Sequence, residues 1–546
     1  MPKKSFFKTA DGQNHTITFF LVASLFLLWG FCNGMIDTMD KHFQNQLHLT
    51  KAQSAWVQFA HYMGYALMAL PAGMLTRRLG YKGGIIFGLF MVALGGFWFL
   101  PATHIAQFWA FLLGVCFIAM GLTVLETVAN PYATVLGPKE YGPARINLAQ
   151  SFNGIGWIFG PIIGGAYFYS QDGVEVAHGQ LYVPYLGVGI VVVVLAILFY
   201  FARVPDIKVE DDYHTEEAAT AASFAGRVKN TQQIFWFMFL NVAAIGLSLY
   251  LVLKTILPAL GVSDPAIACT TYAIVAVVLL TAPKLLSTAK TIPEQSIWAH
   301  PHFSGATLAQ FVYVAAQAGI FSFFINTMTV DKKTGFTLVP AIPASWAAAM
   351  NHLAASFSHV LGGIPLIGRF PSWLTGWFTA DAQGVFHISD RGAANLSAVA
   401  FIFFLTGRLI GAWLLKKSAA HRVLGVFSLI NIGVCALIML NIGWLSVFGV
   451  FLSYFFMSIG FPTIFALGIH GLGSQAKKRA SAFIVMSITG GALMPKLMGA
   501  LGDKYNMAHA FLMPLCCFAL IAIYSFSWGK LSQSESAVSL SPGKSH

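Results

Sequence analysis

The chain has 546 residues, of which 57% are hydrophobic and only 10% charged, and its mean hydropathy is +0.70. Water-soluble domains carry about 25% charged residues, so this composition excludes a soluble enzyme built on one core, and it excludes disorder beyond short tails. The formal charge of +12 sits in short basic clusters between apolar runs, a topology signal that removes nucleic acid as a partner.

Apolar segments of about 20 residues, each enough for a helix to cross about 30 Å of hydrocarbon, recur along the chain. They lie at 16–40, 53–76, 83–101, 106–133, 146–170, 181–203, 234–258, 266–287, 305–328, 393–415, 422–442, 443–469, 480–502 and 508–528. A transmembrane barrel is excluded, because its strands would alternate apolar and polar with period two. The chain reads as an all-α polytopic membrane protein with about 14 transmembrane helices. Lys3, Lys4 and Lys8 precede the first segment, but no small-residue cleavage site follows and the apolar stretch runs past Trp29, so it is a span and not a signal peptide. With the N-terminus in the cytoplasm, 22 of the 32 Lys and Arg fall inside, 8 outside, and Arg408 and Lys496 within spans. That is the positive-inside bias.

The acidic-to-basic stretch from Val204 to Thr231 is the best domain boundary. The organisation expected is a first six-helix bundle at 1–203, a cytoplasmic linker at 204–232 and an extra two-helix insertion at 233–304. A second six-helix bundle follows at 305–529, and the tail at 530–546 is cytoplasmic. The segment 331–391, with Trp346, Trp373 and Trp377, reads as an interfacial or folded outer cap. A weak echo between Pro131–Gly137 and Pro462–Gly468, each followed by a basic turn, hints at two parallel halves.

Ionisable groups inside spans are costly and tend to be functional. Asp37, in WGFCNGMIDTMDKHF, is a candidate proton carrier, or else a carboxylate solvated near the outer end. Glu126, in GLTVLETVANPYATVLGP, is deeper and has no local Lys or Arg at i+3 or i+4; it could bind a polyol and a proton together, or pair structurally with a distant Arg. Asp40 reads as a solvated end charge, Lys496 as a snorkelling lysine and Arg408 as a gate or anchor. Asn33, Asn147, Gln150 and Asn153, with Gln310, Tyr313, Gln317 and Asn326 later, make a polar set. Their amides suit sugar hydroxyls because each offers donor and acceptor, while interhelical hydrogen bonding is the competing reading. Phe152, Phe321 and Phe461 could stack on a pyranose face or simply pack. His300 and His302 read as a solvated loop pair, and His352 and His359 as interfacial rather than metal-binding. The six cysteines lack metal-ligand spacing. No Ser elbow, P-loop or CxxC appears, so hydrolytic and nucleotide chemistry have no candidate site and neither a cofactor nor a metal is expected.

These stretches, with ARINLAQSFNGIG, AQFVYVAAQ, FPTIFALGIHGLG and SAFIVMSITGG, resemble the fucose permease group of sugar:proton symporters in the major facilitator superfamily. The resemblance implies the major facilitator fold, two six-helix bundles with a monosaccharide bound between them at mid-membrane, here with two extra helices in the central region. It makes Asp37 and Glu126 the protonatable pair, with Glu126 also engaging the sugar. Gln150 and Asn153 line the same cavity, and Tyr313 and Gln317 match a cavity-facing helix. Asn33, Phe321 and Asn326 complete the candidate sugar site. The fucose-specific pattern has tryptophan at Phe321 and arginine at Asn326, which sets fucose itself apart. The expected activity is proton-coupled symport by alternating access, in a monomer of the bacterial inner (plasma) membrane contacting lipid. A facilitator without proton coupling and a membrane sugar sensor are the alternatives.

Overall fold

The computed structural model describes residues 7, 14–137, 142–169, 182–202, 204, 231–259, 263–292, 296–361, 376–381, 383–415, 417–472 and 474–532. Most of the 204–232 linker, Lys139, Trp373 and most of the tail lie outside them, and the Asn147 and His359 side chains are likewise outside the description.

A helix satisfies its own backbone hydrogen bonds, which is what a segment in hydrocarbon requires, and every apolar run is helical. In chain order the helices are α1 (Thr16–Gln46), α2 (Lys51–Ser54), α3 (Trp56–Ile105), α4 (Phe108–Val135), α5 (Gly142–Phe168), α6 (Tyr182–Phe201), α7 (Thr231–Ala259), α8 (Asp264–Thr291), α9 (Pro301–Ser322), α10 (Phe324–Met328) and α11 (Ala344–Leu361). They continue as α12 (Asp390–Leu415), α13 (Ala420–Met439), α14 (Trp444–Met457), α15 (Gly460–Ile469), α16 (Ser474–Met486), α17 (Gly490–Lys504), α18 (Met507–Ala510) and α19 (Leu512–Ser532). The long α3 holds two of the expected spans, because Gly80 breaks it with φ 70° and ψ −177°, a conformation side chains resist.

Among the described residues ten helical stretches are long and apolar enough to cross a membrane. The expected segments at 53–76, 146–170 and 305–328 are helical but less apolar, since they carry Gln58 and His61, Gln150 and Asn153, and Gln310 and Gln317. In the 234–258 segment Thr231–Leu247 is a shorter apolar helical stretch among the described residues. The segments that fall short are in the main the ones that carry the polar set.

The helices pack in two halves. In the first, α1 lies against α5, and α3 against α4 and α6; in the second, α9 packs on α17 and α19, and α13 on α14 and α19. The α1–α5 contact is set by glycines one turn apart, Gly30 and Gly34 facing Gly156 and Gly160. A methyl group on Gly30 would run into the Asn153 carbonyl, and one on Gly156 into the Leu27 carbonyl, so the backbones approach as small-residue pairs allow. The halves meet where α5 touches α12 and where α17 touches α2 and α3. The extra pair, α7 and α8, pack on each other, and α7 docks on α9. There the Asn241 amide donates to the Ser304 carbonyl at 3.1 Å and its oxygen accepts from the Thr307 hydroxyl at 2.6 Å. The apolar stretch of α8 has no buried residue, which places the pair outboard of the second half. Within 331–391 a short antiparallel hairpin, β1 (Phe378–Ala380) with β2 (Phe386–Ile388), is tied back to Ile342, and α11 leaves Trp346 exposed.

Candidate functional site

The end of the bundle at which α1 finishes is here termed distal. Asp37 lies about 14 Å before that end of α1, whereas Glu126 lies about 27 Å along α4 from Phe108, counting 1.5 Å per residue. Both are half-buried, as are Gln150 and Gln317, in helices whose neighbouring positions are largely closed. Among the described residues no Lys or Arg forms an ion pair with either carboxylate. Asp37 Oδ1 accepts from Gln58 Nε2 at 2.9 Å, and the same amide donates to Asp40 Oδ2 at 3.3 Å. Asp40 is fully buried, not the solvated end charge that its neighbour Lys41 suggested, because α1 runs on as helix to Gln46 and carries it inside. On the Glu126 side, Tyr65 lies within electrostatic reach of the carboxylate and accepts a short hydrogen bond from Trp29 Nε1.

The amides divide by role. Gln150 Nε2 donates to Asn130 Oδ1 at 3.3 Å and stays partly open. Asn153 is buried and donates to the Phe26 carbonyl at 3.3 Å, a tie between α5 and α1. Asn33 is buried, and its Oδ1 has no hydrogen-bond partner among the described residues. On α9, Tyr313 is buried with its hydroxyl donating to the Met457 carbonyl at 2.8 Å, Gln310 is fully buried and Gln317 remains partly open. Arg408 packs over the Phe404 ring at 4.8 Å and donates to the Ser458 carbonyl at 3.4 Å. Lys496 lies over the Trp56 ring at 4.3 Å. His300 and His302 are buried rather than solvated, with His302 Nε2 2.9 Å from the His470 carbonyl, because α9 packs against α15 from its first turn.

Phe321 belongs to an aromatic cluster drawn from both halves. Its ring stacks on Tyr454 at 4.7 Å and meets Phe401 at 4.9 Å, Phe404 at 5.7 Å and Trp157 of the first half at 5.5 Å. Distal to this cluster the halves are pinned together. Asn326 Nδ2 donates to Gln44 Oε1 at 2.6 Å, so Asn326 joins a cross-half pair and not the set around Glu126. Asn45 Nδ2 donates to Asp390 Oδ2 at 2.7 Å, with Lys41 Nζ 3.9 Å from the same carboxylate. Lys51 Nζ reaches Asp331 at 2.7 Å and Asp503 at 3.6 Å, while Asp503 also accepts from the Lys51 and Ala52 backbone at 3.0 and 2.9 Å. Partial burial pushes the Asp331 carboxyl up, but the Lys51 ammonium and the Lys333 and Thr334 amides outweigh it and hold the carboxyl below its ordinary range. Among the described residues every ion pair between halves lies at the distal end, so the structure is closed there.

Sequence reasoning missed Gln58, Tyr454, Trp157 and the Lys51–Asp331–Asp503 set, since each acquires its role from a partner far away in the chain. For Asp40 a signal existed: it is i+3 from Asp37 and therefore shares its helix face.

Two helical halves enclosing half-buried carboxylates and amides, sealed at one end by bonds that can part, are the architecture of a secondary transporter. The chain belongs to the Major Facilitator Superfamily, whose family model matches residues 16–364. It is 30% identical to the L-fucose-proton symporter of Escherichia coli over 94% of this chain and 94% of that one. It is 27% identical to a glucose/galactose transporter of Brucella abortus over 96% of this chain and 97% of the other. Among solved structures it resembles a Major Facilitator Superfamily transporter, FucP, crystallised in the outward conformation, with a TM-score of 0.54 and 28% identity over 94% of this chain and 99% of that chain.

Proposed function

We propose that this chain carries a monosaccharide into the cell together with a proton by alternating access. The observation that supports this best is that Asp37 and Glu126 are half-buried carboxylates in helices long and apolar enough to span a membrane and, among the described residues, pair with no Lys or Arg, while Gln150 and Gln317 are half-buried amides. A carboxylate held in hydrocarbon without a cation is costly unless it takes a proton or faces water, and beside a polyol-binding amide it serves coupling and recognition together. Relatives named for fucose–proton symport and for glucose and galactose transport support the same reading.

In this scheme a proton neutralises Asp37, sugar hydroxyls bond to Glu126, Gln150 and Gln317, and the neutralised site rocks between halves. Ligand and proton drive the change only because they bind the two states with different affinity. Tyr313, Phe321, Asn33 and Asn153 shape the pocket walls, and Asn326 acts at the distal closure. Fourteen spans with both termini cytoplasmic make the distal end the outer one. The two six-helix bundles at 1–203 and 305–529 are the moving bodies, and the working unit is a monomer in lipid of a bacterial inner membrane.

The test is uptake in transport-deficient cells across fucose, galactose, glucose, mannose and N-acetylglucosamine, with external pH recorded. Accumulation of one of them with alkalinisation of the medium is expected. Uptake without alkalinisation would leave a facilitator, and no uptake of any monosaccharide would overturn the reading. Normal uptake after deletion of 344–361 would argue against a sensor built on the outer segment.

A further inference from the structure

Asp40 is a fully buried carboxyl for which the transport scheme above has no use. It sits one helical turn beyond Asp37, and the Gln58 amide spends both of its hydrogens on the pair, at 2.9 Å to Asp37 and 3.3 Å to Asp40. The two accepting oxygens are thus no more than about 6 Å apart. The other oxygens, Asp37 Oδ2 and Asp40 Oδ1, are buried and have no hydrogen-bond partner among the described residues. Around the pair stand Tyr62 of α3 and Tyr454 of α14 near Asp37, and Tyr169 and Tyr185 near Asp40. The Tyr169 hydroxyl donates to the Thr38 carbonyl at 2.7 Å, and the nearest lysine on the same helix, Lys41, is directed to Asp390. Among the described residues no cation forms an ion pair with either carboxyl. From the second half, Ser322 faces the Asp40 carboxyl, but its own hydrogen goes to the Ala318 carbonyl at 2.6 Å. A hydroxyl has one hydrogen, so while the bond to Ala318 stands Ser322 offers Asp40 only an acceptor.

We propose that Asp37 and Asp40 form a two-carboxyl proton site clamped by Gln58, and that the proton held on Asp40 bonds to Ser322 across the halves and so keeps the distal end closed. A proton on Asp40 turns the carboxyl into the donor that the Ser322 oxygen requires, and it removes one of two like charges sealed in the same place. Losing that proton leaves two anions about 6 Å apart. At an effective dielectric constant of about 20 their repulsion changes the closed-to-open ratio by about 100-fold. Closure of the distal end and proton occupancy are then one equilibrium. The inference rests on the proton-coupled reading for its use in transport, but not for its geometry.

The experiment uses full-length protein in lipid nanodiscs with spin labels at exposed positions 48 and 505, one on each half, and follows the distal distance against pH. The unsubstituted protein should open distally as pH rises, and Asp40→Asn, which stays neutral and can still donate to Ser322, should remain closed throughout. Ser322→Ala keeps both carboxyls and removes the acceptor, so its opening should move to lower pH by about one unit. That variant decides the matter if Asp40→Asn does not fold. The protonated-carboxyl band in infrared difference spectra should weaken in Asp40→Asn without any sugar present. If these results hold while no sugar is carried, the proton site stands and only the substrate assignment fails. If sugar and protons are carried together but Asp40→Asn keeps the pH curve of the unsubstituted protein, or Ser322→Ala leaves it unmoved, the proposal is wrong.

Discussion

Lys51→Met removes the charge that joins three segments at the distal end while keeping the length of the side chain. The ammonium is nearly buried and contacts Asp331 at 2.7 Å and Asp503 at 3.6 Å. Stripping the partner from a buried carboxylate costs about 3 to 5 kcal/mol when nothing else compensates it. Here each carboxylate keeps two backbone donors, Lys333 and Thr334 for Asp331, Lys51 and Ala52 for Asp503. A net loss of about 2 kcal/mol in the closed state is therefore expected, which lowers the closed-to-open ratio about 30-fold. Spin labels at positions 48 and 505, in a background with the exposed Cys269 and Cys516 replaced, report that ratio as two populations of distance. Adding Asp331→Asn to Lys51→Met should change little more, because the two residues act through one contact. A distance distribution unaffected by Lys51→Met would refute the assignment of this ion pair as the distal closure.

The same contact predicts a pH response. Because the paired Asp331 carboxyl lies below its ordinary value of 3.8, its contribution is complete above that value and is lost as pH falls through the lowered one; on the acid side, loss of this contact should therefore open the distal end only on strong acidification, and opening as pH falls through mild acidity would contradict it. Glu126→Gln should reduce concentrative uptake of the carried sugar from a ceiling of about 50-fold per 100 mV for one proton to equilibration, whereas Asp37→Asn should lose accumulation but retain exchange; both are read with labelled sugar in energised and de-energised vesicles, and normal accumulation by both would sink the site. Gly156→Leu forces a side chain into the Leu27 carbonyl across the α1–α5 contact and should cost about 1 to 3 kcal/mol or more, seen as a lowered unfolding temperature in detergent. Phe321→Trp enlarges a ring already enclosed by Trp157, Phe401, Phe404 and Tyr454; uptake competition should show a changed order of preference among monosaccharides, and an unchanged order would remove Phe321 from selectivity.

The all-helical, membrane-crossing character of the chain was legible in the sequence, because length and apolarity are properties of a segment and hydrocarbon imposes the helix on whatever meets them. Asp37 and Glu126 were legible for the same reason, since a carboxylate inside such a run is costly whichever helix it faces. What α1 does at its end was not legible: whether Asp40 is bathed or sealed depends on Gln58 and Ser322, which come from other helices. Asn326 was misleading in the same way, being apolar-flanked like the cavity residues yet paired with Gln44 at the distal end. The difference between a pocket amide and a closing bond, and between an open and a sealed carboxyl, is a matter of which surfaces from distant parts of the chain meet. Local sequence carries the cost of burying a group, and only the packed halves decide what offsets it.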